Sequence, residues 1–205
     1  MSDETDGRVR RGSDAREARR AQLLESSLQV FAERGFHATS VSDLVEAAGV
    51  ARGTFYLYFE GKEALFLELL DDLTRHLRAN IVGVDPARGG VEDQLQQTVE
   101  RILTTLVANR SLTRILFREA VALNAVVDER LAAFDAELHG YVGRALQVGQ
   151  AVGLVRPVDT EVSAVLVVGG LREVVRRYVV ATDEMFDVSR VARAVVDHQL
   201  RGVVP

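Results

Sequence analysis

Residues 39–62, TSVSDLVEAAGVARGTFYLYFEGK, hold two helix-patterned stretches that are each too short to stand alone, parted by a glycine. In the first, Ser40 with Asp43 three residues on reads as a capping box, and Val41, Leu44, Val45 and Ala48 share one face before Gly49. In the second, Phe55 and Phe59 lie four apart on an inward side, leaving Arg52, Gly53, Thr54, Tyr56 and Tyr58 more outward. Isolated helices below about 12 residues are marginal in water, so both stretches must pack on a neighbour. The neighbour lies upstream, where Leu24, Leu28 and Phe31 recur at helical spacing, with Ser13 or Asp14 as N-cap and Gly35-Phe36 as the stop. A three-helix domain over residues 14–61 is expected, preceded by a flexible charged tail at 1–13.

From Lys62 the apolar pattern Leu65, Phe66, Leu69, Leu73, Leu77 runs on as one longer helix, which GVDPARGG at residues 83–90 interrupts. Further helices are marked by Val91, Leu95, Ile102 and Leu106, then by Leu112, Ile115 and Leu116, then by Leu131, Phe134, Leu138, Tyr141, Ala145 and Val148. Asp159 caps another, expected to reach Val180, and Asp187 or Ser189 opens the last, through Val191, Val195 and Gln199. No β-alternation competes, and only three prolines occur among 205 residues. The chain reads as all-α: a small N-terminal domain, then a helical domain over residues 62–205.

Two short helices joined by a Gly turn are the layout of a helix-turn-helix, in which the second helix enters the DNA major groove and neighbouring groups grip phosphates. The residue types fit. Arg52 can pair with guanine, Thr54 can contact a base or a thymine methyl, and Gly53 permits close backbone approach. Tyr56 and Tyr58 bring hydroxyls within reach of phosphates, and Lys62, the one lysine among 25 basic residues, is expected to add a point charge there. Thr39 and Ser40 serve as caps whose hydroxyls can also meet a phosphate. The net charge of −5 argues against bulk attraction to nucleic acid, so affinity must be local. Six arginines between Arg8 and Arg20 supply a basic segment.

The pattern Thr39-Ser40, Ala48-Gly49-Val50, Gly53-Thr54-Phe55-Tyr56-Leu57-Tyr58-Phe59 and Lys62-Glu63 resembles the DNA-binding domain of TetR-family transcriptional regulators, over residues 15–70. The resemblance implies a homodimeric repressor bound to palindromic double-stranded operator DNA and released by a small apolar effector held in the C-terminal domain. It also places Ser42 among the DNA-facing residues, although the family often has arginine there. Ala51 replaces a usual serine, removing a side-chain N-cap worth about 0.5–2 kcal/mol. Glu60-Gly61 replaces a commonly polar or basic pair.

In the second domain, Val162 to Val168 is apolar nearly all round, which predicts burial against a second surface as well as its own domain. Val165, Val168 and Gly169, with Val191 and Val195 of the last helix, are the expected dimer contacts. Arg118, His139 and Tyr141 are candidates for lining an effector cavity. The absence of cysteine removes disulfides and thiolate metal sites and fits the cytoplasm. No HExxH, GxSxG, Walker A or GxGxxG pattern occurs, and the four histidines fall on separate elements, so no enzyme, metal or cofactor is expected. The longest apolar run, Val162 to Leu171, is about half of the roughly 20 residues a membrane span needs.

Overall fold

The computed structural model describes residues 3–119 and 125–203, with side chains at 14–85, 87–117 and 125–201. Helices follow in the order α1 (Asp3–Arg34), α2 (Val41–Ala47), α3 (Arg52–Tyr56), α4 (Lys62–Asn80), α5 (Val91–Ala108), α6 (Arg110–Glu119), α7 (Ala125–Ala151), α8 (Thr160–Val175) and α9 (Val188–Val203). There is no strand among the described residues. The chain forms two compact units, Met1–Asp71 and Asp72–Pro205. Helix α1 starts at Asp3, well before the expected Ser13 or Asp14 cap, and no proline lies between to interrupt it.

In the first unit, Leu23, Ser27, Val30 and Phe31 form the buried face of α1. Phe31, Phe36 and Phe66 meet with ring centroids 5.2 Å (Phe31–Phe36), 5.0 Å (Phe36–Phe66) and 5.8 Å (Phe31–Phe66) apart. Phe55 and Phe59 bring the two short helices into the same interior, with Leu44 and Ala48 from α2. Val50 is half-buried. The chain leaves α1 through Gly35 at φ 81°, and it leaves α2 through Gly49 at φ 62°, both left-handed conformations that favour glycine. Gln22 of α1 donates to the carbonyl of Ala48 at 2.9 Å, tying down the end of α2. The hydroxyl of Ser27 is buried without a protein hydrogen-bond partner.

In the second unit, α5 packs on α9 and α7 on α8, while α6 lies against the wide turn that ends α8. Val191, Ala192 and Val196 of α9 are buried, as are Leu103 and Leu106 of α5. Asp159 caps α8 by accepting from the amides of Glu161 and Val162, both at 3.1 Å. The helix does not continue regularly to Val180 as expected. Residues Arg176–Val180 form a π turn, closed by Ala181 N–H donating to Arg176 O at 3.0 Å, with Val179 and Val180 both buried. Arg114 Nε donates to Val180 O at 3.1 Å and its Nη2 to Thr182 O at 2.8 Å, and Arg110 also donates to Thr182 O.

Candidate nucleic-acid interface

Helix α3 is anchored by one side chain. Phe55 is fully buried, and its ring meets Phe59 at 5.7 Å, so a five-residue helix is held in place by the unit's core. The residues opposite that anchor are the exposed ones: Arg52, Gly53, Tyr56 and Leu57. The Arg52 guanidinium lies 5.9 Å from the Tyr56 ring centroid, which orients both side chains. Thr54 and Tyr58 are half-buried, and Arg16 of α1 stacks over the Tyr58 ring at 5.8 Å. Ala51 provides no side-chain cap, as its identity requires.

Gly53 has no internal reason to be glycine. A Cβ built there meets nothing within 4 Å, and the backbone is not in the left-handed region. Glycine inside a helix costs roughly 0.5–1 kcal/mol relative to alanine. The open space lies outside the chain, on the exposed side of α3. Leu57, 71% exposed, is a residue that sequence reasoning passed over. Its spacing of four from Gly53 was the available signal, since residues four apart share a helix face.

Helix α2 opens on the expected capping box. Ser40 N–H donates to Asp43 Oδ2 at 2.7 Å, the Ser40 hydroxyl donates to the same oxygen at 2.6 Å, and Asp43 N–H donates back to Ser40 Oγ at 3.3 Å. These bonds from Ser40, with the Arg34 guanidinium 2.7 Å away, hold the Asp43 carboxyl below its ordinary range. Ser40 and Ser42 are exposed.

Two expectations change here. Thr39 is buried, and its hydroxyl donates to Gly35 O at 2.7 Å, so its side chain closes the turn instead of facing outward. Lys62, expected to present its charge to a phosphate, directs Nζ at three backbone carbonyls: Phe36 at 2.8 Å, His37 at 3.3 Å and Thr39 at 2.7 Å. The basic segment continues on α1 with Arg16, Arg19 and Arg20 exposed, and Arg20 pairs with Glu68. Arg8, Arg10 and Arg11 lie outside the described side chains.

In the second unit the candidate effector residues separate. His139 lines an open groove of about 560 Å³ between α7 and α8, with Gly143, Arg144, Thr160, Ala164 and Val165. Its Nδ1 lies 2.8 Å from Asp135 O, and Asp135 also pairs with Arg172. Tyr141 is on the exposed side of α7 with Arg144 stacked at 5.1 Å. The side chain of Arg118 lies outside the described residues. No group of three or more His, Cys, Asp or Glu able to hold a metal occurs among the described residues, and none of the described helices is long and apolar enough to cross a membrane.

Residues 23–69 match the model of bacterial regulatory proteins of the tetR family, and residues 88–203 match a tetracyclin repressor-like C-terminal domain. The chain belongs to the TetR family. Among its TetR-family relatives are the fatty acid metabolism regulator protein of Bacillus subtilis, 23% identical with 89% of this chain and 94% of that protein covered, and the probable acrEF/envCD operon repressor of Escherichia coli, 26% identical with 91% and 87% covered. Of the solved structures, the fatty acid degradation regulator FadR of Bacillus halodurans superposes with a TM-score of 0.71 at 27% identity, covering 90% of this chain and 95% of that one. The TetR-family regulator PfmR of Thermus thermophilus gives the same TM-score at 24% identity, covering 87% and 97%. TetR-family membership makes the chain a transcriptional regulator whose α2 and α3 form the helix-turn-helix.

Proposed function

We propose that the protein is a homodimeric repressor that holds palindromic operator DNA through α3 and releases it when a small apolar effector binds the second unit. The observation that carries the DNA reading is the vacant space above Gly53, flanked by Arg52, Tyr56 and Leu57 on an otherwise anchored helix. A glycine that costs helix stability and relieves no internal contact is accounted for by an external surface that must come close. Arg52 and Thr54 are the proposed base readers, and Ser40, Ser42, Tyr56 and Tyr58 the proposed phosphate contacts.

Selection from a pool of random duplexes tests this directly. A recovered palindrome with two half-sites, bound less tightly as salt rises, is expected. Recovery of no preferred sequence overturns it. Gly53→Ala gives a second arm with opposite signs: the fold gains about 0.5–1 kcal/mol while affinity for the selected duplex falls. Unchanged affinity in that variant would remove Gly53 from the interface.

The dimer is proposed to form through α7 and α8. Val162, Val165, Leu166 and Gly169 make an exposed apolar stripe on α8, and Tyr141, Ala145 and Val148 make one on α7 that Val152 extends just past its end. The contacts proposed from the sequence are thereby revised. Val168 and Val191 are buried within their own protomer, and the α9 face that holds Val191 and half-buried Val195 packs on α5.

An apolar effector is supported by the fatty acid degradation regulator of Bacillus halodurans at 27% identity. Such a ligand acts only by preferring one of two conformations, and a coupling of about 1–3 kcal/mol changes operator affinity roughly 5–150-fold. Operator DNA must weaken effector binding by the same factor. Saturated fatty acids and their coenzyme A thioesters are the first compounds to titrate, and a duplex affinity that none of them lowers would exclude that class.

A further inference from the structure

We infer that Lys62 is a positioning residue of the DNA-binding unit: its ammonium fastens the turn between α1 and α2 to the first residue of α4, and it does not grip a phosphate. The inference rests on the DNA-binding reading of α2 and α3. Its basis is geometric. An ammonium has three donors, and Nζ lies within hydrogen-bond distance of three carbonyls, those of Phe36, His37 and Thr39. The same cation sits 4.6 Å from the centroid of the Phe36 ring. Each partner belongs to the turn that leads into Ser40, the N-cap of α2.

The choice of amino acid supports this. The chain has one lysine among 25 basic residues, the others all being arginine. A phosphate is recognised at least as well by a planar guanidinium, which can bond it through two parallel N–H groups. Three carbonyls converging on one point suit a compact, tetrahedral ammonium and not a planar fork. The single position where the chain departs from arginine is thus the one whose partners require lysine.

The consequence concerns α2. Thr39 closes the turn through Gly35 O, Lys62 holds the carbonyl of the same Thr39, and Ser40 follows at once as the cap. The start of α2 is therefore set by a residue 23 to 26 positions downstream, at the head of a helix that continues past Asp71 to Asn80.

Because Lys62 is the only lysine, an acetylating N-hydroxysuccinimide ester reports on it in unmodified protein, with the N-terminal amine resolved by peptide mass. Acetylation at least tenfold slower in the native chain than in the urea-unfolded chain is expected before any DNA is added. Native acetylation as fast as in urea overturns the inference, and this arm stands even if selection yields no duplex.

The second arm compares Lys62→Gln and Lys62→Arg on the selected duplex and on a scrambled duplex of equal composition. Both variants are expected to lose tenfold or more of the selected-to-scrambled affinity ratio, with the salt slope of selected-duplex binding unchanged. A phosphate contact instead predicts rescue by Lys62→Arg and, in Lys62→Gln, a slope smaller by about one. Loss of folding alone would lower both affinities together and leave their ratio intact, which also overturns the inference.

Discussion

In the first unit, five phenylalanines from α1, α3, α4 and the turns between them are buried, and the exposed side of α3 carries Arg52, Gly53 and Tyr56 with Leu57 just beyond. In the second unit the buried residues are mainly valine, leucine and alanine, and long apolar stripes on α7 and α8 are left outside, with Leu166 65% and Val165 54% exposed. The first unit buries its large apolar groups and offers mostly polar ones outward, which suits a charged partner. The second has apolar surface beyond what its own core uses, which suits a second copy of itself.

The largest test of this contrast is Phe31→Ala. Truncating a buried phenylalanine costs about 3–5 kcal/mol, so hydrogen exchange should quicken across α1 to α3 while α5 to α9 keep their protection. Equal loss in both units would show that the cores are not separate. Next come two substitutions two residues apart on α8. Leu166→Asp should leave helicity intact and give a monomer by light scattering, whereas Val168→Asp buries an unpaired charge and should lose roughly 3–5 kcal/mol of stability. A dimeric Leu166→Asp protein breaks the assignment of the outward face.

Smaller effects sharpen the same comparison. Ser27→Ala removes a buried hydroxyl without a protein partner and should stabilise the first unit by about 1 kcal/mol, read as a higher urea midpoint. A lower midpoint would mean that water or another group satisfies it. The smallest effect is that of pH, and its sign differs between the units. Asp43 has its pKa lowered from 3.8, so its contribution to α2 is present above 3.8 and lost as pH falls below it through the lowered value. Glu92 has its pKa raised from 4.5 by a hydrogen bond shared with Asp197 and by that residue's charge, so its contribution holds below 4.5 and is lost as pH rises through the raised value. Amide exchange between pH 6 and pH 3 should therefore loosen the start of α2 and tighten the start of α5. Parallel changes at both would contradict these assignments.

The helix order was legible because apolar spacing of three and four, glycine stops and Ser or Asp caps are local signals, as at Ser40–Asp43 and Asp159. The inward anchor of α3 was legible for the same reason. What escaped was set by distant partners. Nothing near Lys62 in sequence announces carbonyls more than twenty positions upstream. Thr39 reads equally as cap or contact until Gly35 O is seen to take its hydroxyl. On α7, the stripe through Tyr141, Ala145 and Val148 has the spacing of a core face, and spacing alone does not tell whether the surface it meets belongs to the same chain.

The π turn at Arg176–Val180 has a consequence for how this sequence tolerates change in length. A π turn is an α-helix with one residue too many, absorbed locally. Deleting one of those five residues would remove the extra one and let the helix wind regularly to its end, with the phase of the residues that follow kept. Arg114 holds the carbonyls of Val180 and Thr182 at the end of this turn, and α9 begins separately at Val188, so its packing on α5 does not depend on the phase of α8. A single-residue deletion here is expected to cost far less than one in the middle of α8, which would turn every later residue of that helix by about 100°.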